Sequence, residues 1–513
     1  MRHSFRISAF ALALLSLPCA VRAEDGNLGN GNTAEGNFAL GNLNGGFNNT
    51  ALGNVALFNN TSGGSNTGTG SGALYSNKTG FSNTADGFAA LTNNTASFNT
   101  ATGSLALNSN TSGSDNTAVG YQALKSNTTG PFNTAVGESA LLSNTTGDRN
   151  TAIGDGAMIV SSTGFQNTAI GVSALRNNTN GSQNVAVGQD ACNNNGNATG
   201  NTGIGYEALL HNSTAGNTAL GFEALLNNTT GTGNVASGWN ALLSNTGGNY
   251  NTATGFVTLE HNTTGSENTG TGIQALFHNT SGSDNVAAGF NALLSNTTGN
   301  NNTALGASAG ENLTTGGNNI DVGANVVGKA AEANTIRIGV QGTQKSTFIA
   351  GIAGTAVTGA QVVINSAGKL GVATSSARFK EEIKPMDQAS ESLLALKPVT
   401  FRYKEEVDPG ATPQFGLVAE DVEKVNPNLV IHDEQGKPFT VRYDAVHAML
   451  LNEFLKEHGQ VQQLKATVAQ QQDEFRAKIA QQQKQIEALT ATVQKVSDRI
   501  APSKPAPQLV ADQ

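Results

Sequence analysis

Two side chains near residue 375 could do covalent chemistry together: the hydroxyl of Ser375 and the amine of Lys380. A serine attacks a carbonyl only when a neighbouring group takes its proton, and a lysine can be that group when its pKa is pulled well below about 10.4 by burial or by a nearby cation. Arg378 could supply the cation. Five residues of separation place the pair on opposite faces of a strand and off the i, i+4 alignment of a helix. A turn or a neighbouring subunit must therefore bring the two together. Ser375 also directly follows the carbonyl of Thr374, so attack on that carbon would give an ester for water to hydrolyse, one turnover per chain. By itself, Ser-x-x-x-x-Lys is a short motif that usually lies in a solvated loop.

The elements that must hold these residues begin with a change of composition. Residues 1–374 carry 28 charged side chains and the remaining 139 carry 37. The chain has 62 glycines, 5% aromatics and 13% charged residues, half the usual charged fraction of about 25%, so most of it is not a mixed-charge globular surface. A net charge of -9 without clustered Lys and Arg excludes a nucleic-acid surface. Arg2 and Arg6, the apolar run from Ala9 to Leu17 and Val21-Arg22-Ala23 read as a signal peptide over 1–23, hence a secreted or cell-surface protein. Pro18 before Cys19 is a poor fit to a lipoprotein site. Cys192 is then the only thiol of the mature chain, which excludes a disulfide framework, and no second apolar stretch is long enough to span a membrane. His432, His447 and His458 are not at metal-ligand spacing; neither metal nor cofactor is expected.

From Asn32 to Asn319 an Asn opening N-T-A, N-T-G, N-V-A or a close variant recurs every 17 residues, with two steps of 16. The consensus N-T-A-x-G-x-x-A-L-x-x-N-T-T-G-x-x holds two short apolar pieces, such as Thr134-Ala135-Val136 and Ala140-Leu141-Leu142, each bounded by turn residues. One unit cannot bury them. Stacked in register, the units would build a thin Ala/Leu core with Asn ladders, a β-solenoid over 28–320. About eighteen coils at roughly 4.8 Å give a rod of the order of 85 Å. The Asn-x-Thr triplets, for example Asn144-Thr145-Thr146, read as turns rather than as glycosylation sites, since they recur wherever the coil must turn. The shaft shows no glycosidase carboxylate pair.

These units resemble the head repeats of trimeric autotransporter adhesins of the YadA type, a left-handed parallel β-roll, although those repeats are shorter and built on N-[ST]-V-A-x-G. The resemblance implies association of three chains. The polar, Pro-rich tail over 501–513 lacks the alternating strands of an outer-membrane anchor, so an autotransporter is not expected. Over 321–374 the period fades into β-type pieces, Thr335–Gly339, Ser346–Ala350 and Gln361–Ile364, read as a β-rich neck that caps the solenoid.

Three blocks follow in order: Thr374 to Ile383, Gln414 to Val422 and Tyr443 to Leu451. Together they resemble the endosialidase-type intramolecular chaperone auto-processing domain at the C-termini of phage tailspikes and tail fibres. The resemblance implies a small α+β domain over 375–460, with Ser375 as nucleophile, Lys380 as general base and Thr374-Ser375 as the scissile bond. Ser376 stands where that family usually has Asp, and Ala419-Glu420-Asp421-Val422 where A-Q-E-V is common, which leaves Arg378, Glu420 and Asp421 as possible supporting residues. Glu381, Glu382 and Lys384 read as a solvated face.

Apolar or tolerated residues at 461, 464, 468, 471 and 475, then 479, 482, 486, 489, 493, 496 and 500, mark a coiled coil over 461–500. A one-residue shift after Phe475 and glutamines at 471 and 482 weaken it, as suits a chaperone that later dissociates; an ordinary stalk fits equally. The fold expected is mainly β: a trimeric parallel solenoid, a neck, and a small α+β chaperone domain ending in a coiled coil. The function expected is a homotrimeric fibre whose C-terminal domain guides assembly and then cuts itself off. The rival is an adhesin that keeps that domain as a clasp and binds an unknown surface ligand.

Overall fold

The structure is a computed structural model that describes residues 26–344, 346–350, 358–365, 367–433 and 435–500. The signal peptide and the tail read from the sequence lie outside these residues. The chain divides into two compact units, residues 1–349 and 350–513.

In the first unit every 17-residue repeat forms one coil with one three-residue strand. The strands run from Thr33–Glu35 to Ile336–Ile338 as a single parallel ladder, each rung paired with its equivalent one coil away, as in Ala118↔Ala135↔Ala152. Gly26–Asn27 closes the N-terminal end by pairing antiparallel with Thr33–Glu35. Alternation along the strand turns the middle Ala inward and its neighbours outward, so Ala135 is fully buried.

The second apolar piece is not a strand. Ala140-Leu141-Leu142 lies in a run of turns in which Ser139 and Leu141 adopt φ values of 56° and 52°, a region few non-glycine residues enter. Stacking holds them there: the N–H of Leu141 donates to Ala157 O at 3.0 Å and that of Ser143 to Ile159 O at 3.1 Å in the next coil. The Leu side chains, fully buried, then form a column facing the Ala columns. Cys192 takes the Leu place in one coil, and burial pushes its thiol up to about 12.

Two further columns make the ladder specific. Asn133 accepts from the N–H of Asn150 at 3.0 Å and from its Nδ2 at 3.1 Å, while the Asn150 Nδ2 also donates to Gly164 O at 2.8 Å. In the adjacent column the Asn144 Nδ2 donates to Asn127 Oδ1 at 2.7 Å and to Gly147 O at 3.1 Å, the same carbonyl that accepts from Asn133 Nδ2 at 2.8 Å. Buried amides paired in this way fix the register, because a slip would leave every rung unsatisfied. Gly137, at φ 135°, ends the strand; a Cβ there would lie 2.4 Å from Gly154 O, so only glycine stacks on glycine at this corner.

Past Ile320 the ladder continues. Ile320–Val322 and Ile336–Ile338, which the sequence places in the neck region, add two more parallel rungs. Ser346–Ala350 forms no strand.

The second unit contains the antiparallel hairpin Val362–Ile364 with Leu370–Val372, the 3₁₀ segment Asp387–Ala395, two further strand pairs, the short helix Ala419–Val425 and the long helix Tyr443–Ile500. Its core is small: Val422, Leu429, Val430, Val441 and Met449 are buried, with Leu393, Leu396 and Val446 packed against them. The long helix has 58 residues, about 87 Å at 1.5 Å per residue, and runs unbroken through position 460. Among the described residues no helix is long and apolar enough to cross a membrane.

Candidate functional site

The segment with the Ser/Lys pair enters from the hairpin Val362–Ile364/Leu370–Val372, whose turn is tied by Asn365 Oδ1 accepting from the N–H groups of Ala367 and Lys369, both at 3.0 Å. Ser376 is extended, and a single 3₁₀ turn, Ala377–Phe379, follows; the N–H of Phe379 donates to Ser376 O and that of Lys380 to Ala377 O, both at 3.0 Å. Lys380 is again extended, at φ -124° and ψ 141°. A turn therefore lies between Ser375 and Lys380. Thr374, Ser375 and Lys380 are all exposed, and among the described residues no hydrogen bond joins the Ser375 and Lys380 side chains. The Arg378 guanidinium sits 4.5 Å over the Phe379 ring, a cation–π contact. Lys384 pairs with Glu382 at 3.5 Å on a solvated surface.

Glu420 and Asp421 occupy the first turn of the helix Ala419–Val425, where carboxylates favour the unpaired N–H groups. The Lys424 Nζ donates to Asp421 Oδ1 at 2.8 Å and holds that carboxyl below its usual range. Asp421 is thus engaged with Lys424.

The second and third sequence blocks do meet. Tyr443, which opens the long helix, accepts at its Oη from the N–H of Leu417 at 3.0 Å, so the strand Gln414–Gly416 is anchored to the helix start. A second tie went unnoticed in the sequence. Ser390, fully buried in the 3₁₀ segment, donates to Glu453 Oε1 at 2.5 Å and accepts from Asn452 Nδ2 at 2.6 Å. Lys456 Nζ reaches Glu453 Oε1 at 2.7 Å and Ser390 Oγ at 3.4 Å. Those hydrogen bonds hold the Glu453 carboxyl below its usual range, and Glu453 in turn raises Lys456. This lysine is a held cation and not a proton acceptor. The local sequence, Ala389-Ser390-Glu391-Ser392-Leu393-Leu394, does not single out Ser390 from Ser392.

Large apolar side chains stay exposed around these ties. Phe415, Leu450, Leu451, Phe454 and Leu455 flank an apolar groove lined by Leu393, Leu396 and Val446, and the row continues along the long helix as Val461, Leu464, Val468, Phe475, Ile479 and Ile486. His432 is paired with Glu423 at 2.6 Å, and among the described residues no group of three or more His, Cys, Asp or Glu could hold a metal.

On the shaft, the sequon asparagine Asn144 and its ladder equivalents are fully buried, whereas others such as Asn48 and Asn93 are exposed. The surface does carry an aromatic ridge. Tyr206, Phe222, Trp239 and Phe256 lie on successive coils with ring centroids 5.1, 4.3 and 6.4 Å apart, so the first three rings stack on one another and turn their edges to solvent.

Residues 375–431 match the family described as chaperone of endosialidase. No curated protein and no solved structure matches the chain.

Proposed function

We propose, from the chaperone-of-endosialidase match that begins at Ser375, that the second unit is an intramolecular chaperone for assembly of a three-chain, secreted or surface-displayed fibre, and that it releases itself by cutting between Thr374 and Ser375. The observation that carries the reading is that match, together with a unit whose own core is five side chains while a long apolar row stays uncovered. Three copies holding their long helices together as a coiled coil would cover that row and bring three solenoid ends into register. Parallel β pairing is non-local and slow to nucleate, so such a clamp speeds the step that limits folding.

In the cut, Ser375 Oγ attacks the Thr374 carbonyl carbon while the Lys380 amine takes the hydroxyl proton. The C–N bond breaks, Lys380 returns the proton to the freed Ser375 nitrogen, and water hydrolyses the ester to leave a Thr374 carboxylate and a new N-terminus at Ser375. The exposed, unjoined pair in the single chain fits a dyad completed only on assembly, when a neighbouring copy covers the turn. Removal of the clamp would leave the shaft kinetically stable.

The test is expression of the full chain with and without Ser375→Ala or Lys380→Ala, read by intact mass and N-terminal sequence. A fragment starting at Ser375 in the wild type alone supports the dyad. An uncut trimer in all three reduces the unit to a clasp, and the aromatic ridge at Tyr206 to Phe256 then makes the adhesin the better reading.

A further inference from the structure

The centre of the solenoid strand is alanine, or glycine, in every coil from Ala34 to Ala304, and the side chain at this position is always buried. The next two rungs break the rule. In register with Ala304 comes Asp321, and in register with Asp321 comes Arg337. Asp321 is fully buried, and the Arg337 Nη1 lies 3.6 Å from its Oδ1. The other end of the guanidinium, Nη2, pairs with Glu332 Oε1.

The surrounding positions change with them. Gly310 stands where preceding coils have the core Leu, and Leu313 stands where they have the ladder Asn. The Asn296 Oδ1 is consequently left without a donor. Gly328 makes room for the carboxylate, since a Cβ there would lie 3.0 Å from Asp321 Oδ2 and 2.9 Å from Leu313 Cδ2. Core column and Asn ladder therefore end within one coil of each other.

A carboxylate placed on the axis of an alanine column is costly unless a cation meets it, and burial does push the Asp321 carboxyl up against the pull of Arg337. The arginine side chain remains 30% exposed, with water on its outer side. Another Ala-centred coil laid over Arg337 would remove that water and offer nothing in exchange. By contrast, a last rung of alanine would leave a bare ladder edge, ready to pair with another chain.

We propose that Asp321, Arg337 and Glu332 form a terminator, an ion-paired plug that ends the parallel ladder and prevents the shaft of a second copy from stacking end-on to it. The terminator is independent of the proposed cut at Ser375.

The test uses the full chain in three forms: wild type, Arg337→Ala, and Asp321→Ala with Arg337→Ala. Hydrogen exchange is followed at the amides of residues 303–305 and 320–322, and particle length by negative-stain microscopy. Arg337→Ala leaves Asp321 buried without its cation, so exchange should accelerate at least about tenfold. The double variant continues the alanine column; its exchange should return close to wild type, and rods of doubled length should appear. An Arg337→Ala chain that does not fold beside a double variant that does is the same result in stronger form. Wild-type exchange in Arg337→Ala, or a double variant as labile as the single, overturns the plug. A double variant that keeps single-length rods overturns the block on stacking.

Discussion

Leu141, in a run of turns, and Phe415, at the centre of a strand, are both large apolar side chains, yet Leu141 is completely buried by its own chain while Phe415 is 83% exposed. The contrast extends to the units they belong to. In the shaft each coil is covered by the coils before and after it, so a stack of weak 17-residue units closes its own core without help. In the C-terminal unit a core of five side chains is set against a row of exposed apolar residues from Phe415 through Leu450 and Leu464 to Ile500. A closed core and an uncovered apolar row are thus segregated between the units, and the proposed chaperone role would use that division: the second unit would find its partners before the shaft folds.

The largest expected effect breaks the dependent half. Leu464→Asp with Ile486→Asp places two charges in the helix row, where the wild-type side chains are 64% and 55% exposed in the single chain. If three copies bury that row, losing two apolar contacts at about 1.5–3 kcal/mol each weakens association a hundredfold or more. On that reading light scattering should find the variant a monomer and the wild type a trimer. A trimer unchanged by both charges would move assembly to the shaft and invert the comparison.

A smaller but local effect is expected in the self-sufficient half. Gly137→Val forces a branched side chain into a left-handed backbone and against Gly154 O, at a cost of about 3 kcal/mol or more. Because coils contact only their neighbours, damage should stay near residues 120–154, visible as a new proteolytic site there with protection kept in distant coils. Uniform loss of protection along the rod would mean that the shaft unfolds as one unit.

Period, core residues and ladders of the shaft were legible in the sequence because each is repeated, and a repeated small preference becomes a large one. The turn conformation of Ser139-Ala140-Leu141 was not, since a leucine at φ 52° contradicts its local propensity and is held there only by hydrogen bonds from the next coil. The rungs at Asp321 and Arg337 were hidden for a similar reason: two charged residues sixteen apart read as surface until the register superimposes them. For Ser375 and Lys380 the spacing asked for a turn or a neighbouring subunit to join them; the turn Ala377–Phe379 lies between them without bringing the side chains into a hydrogen bond. Ser390 was unreadable because its partners, Asn452 and Glu453, lie more than sixty residues away.

The smallest effect sharpens the comparison in the opposite direction, by mending a flaw. Ser161 stands where the other coils near it carry the corner Asn, and both its Oγ and the Asn144 Oδ1 below it lack a hydrogen-bond partner. Ser161→Asn would supply an amide to donate to Asn144 Oδ1 and an oxygen to accept from Asn178 Nδ2, in the pattern that Asn195 makes with Asn178 at 2.9 Å. Satisfying a buried acceptor and joining two interrupted runs of the ladder should stabilise the shaft by about 1 kcal/mol. The gain should appear as a higher denaturant midpoint with an unchanged slope. The same coil carries Met158 in place of the usual Leu. If Ser161→Asn instead lowers the midpoint, the longer thioether already fills the space the missing amide would use, and the break is a packing exchange between Met158 and Ser161 rather than a vacant rung.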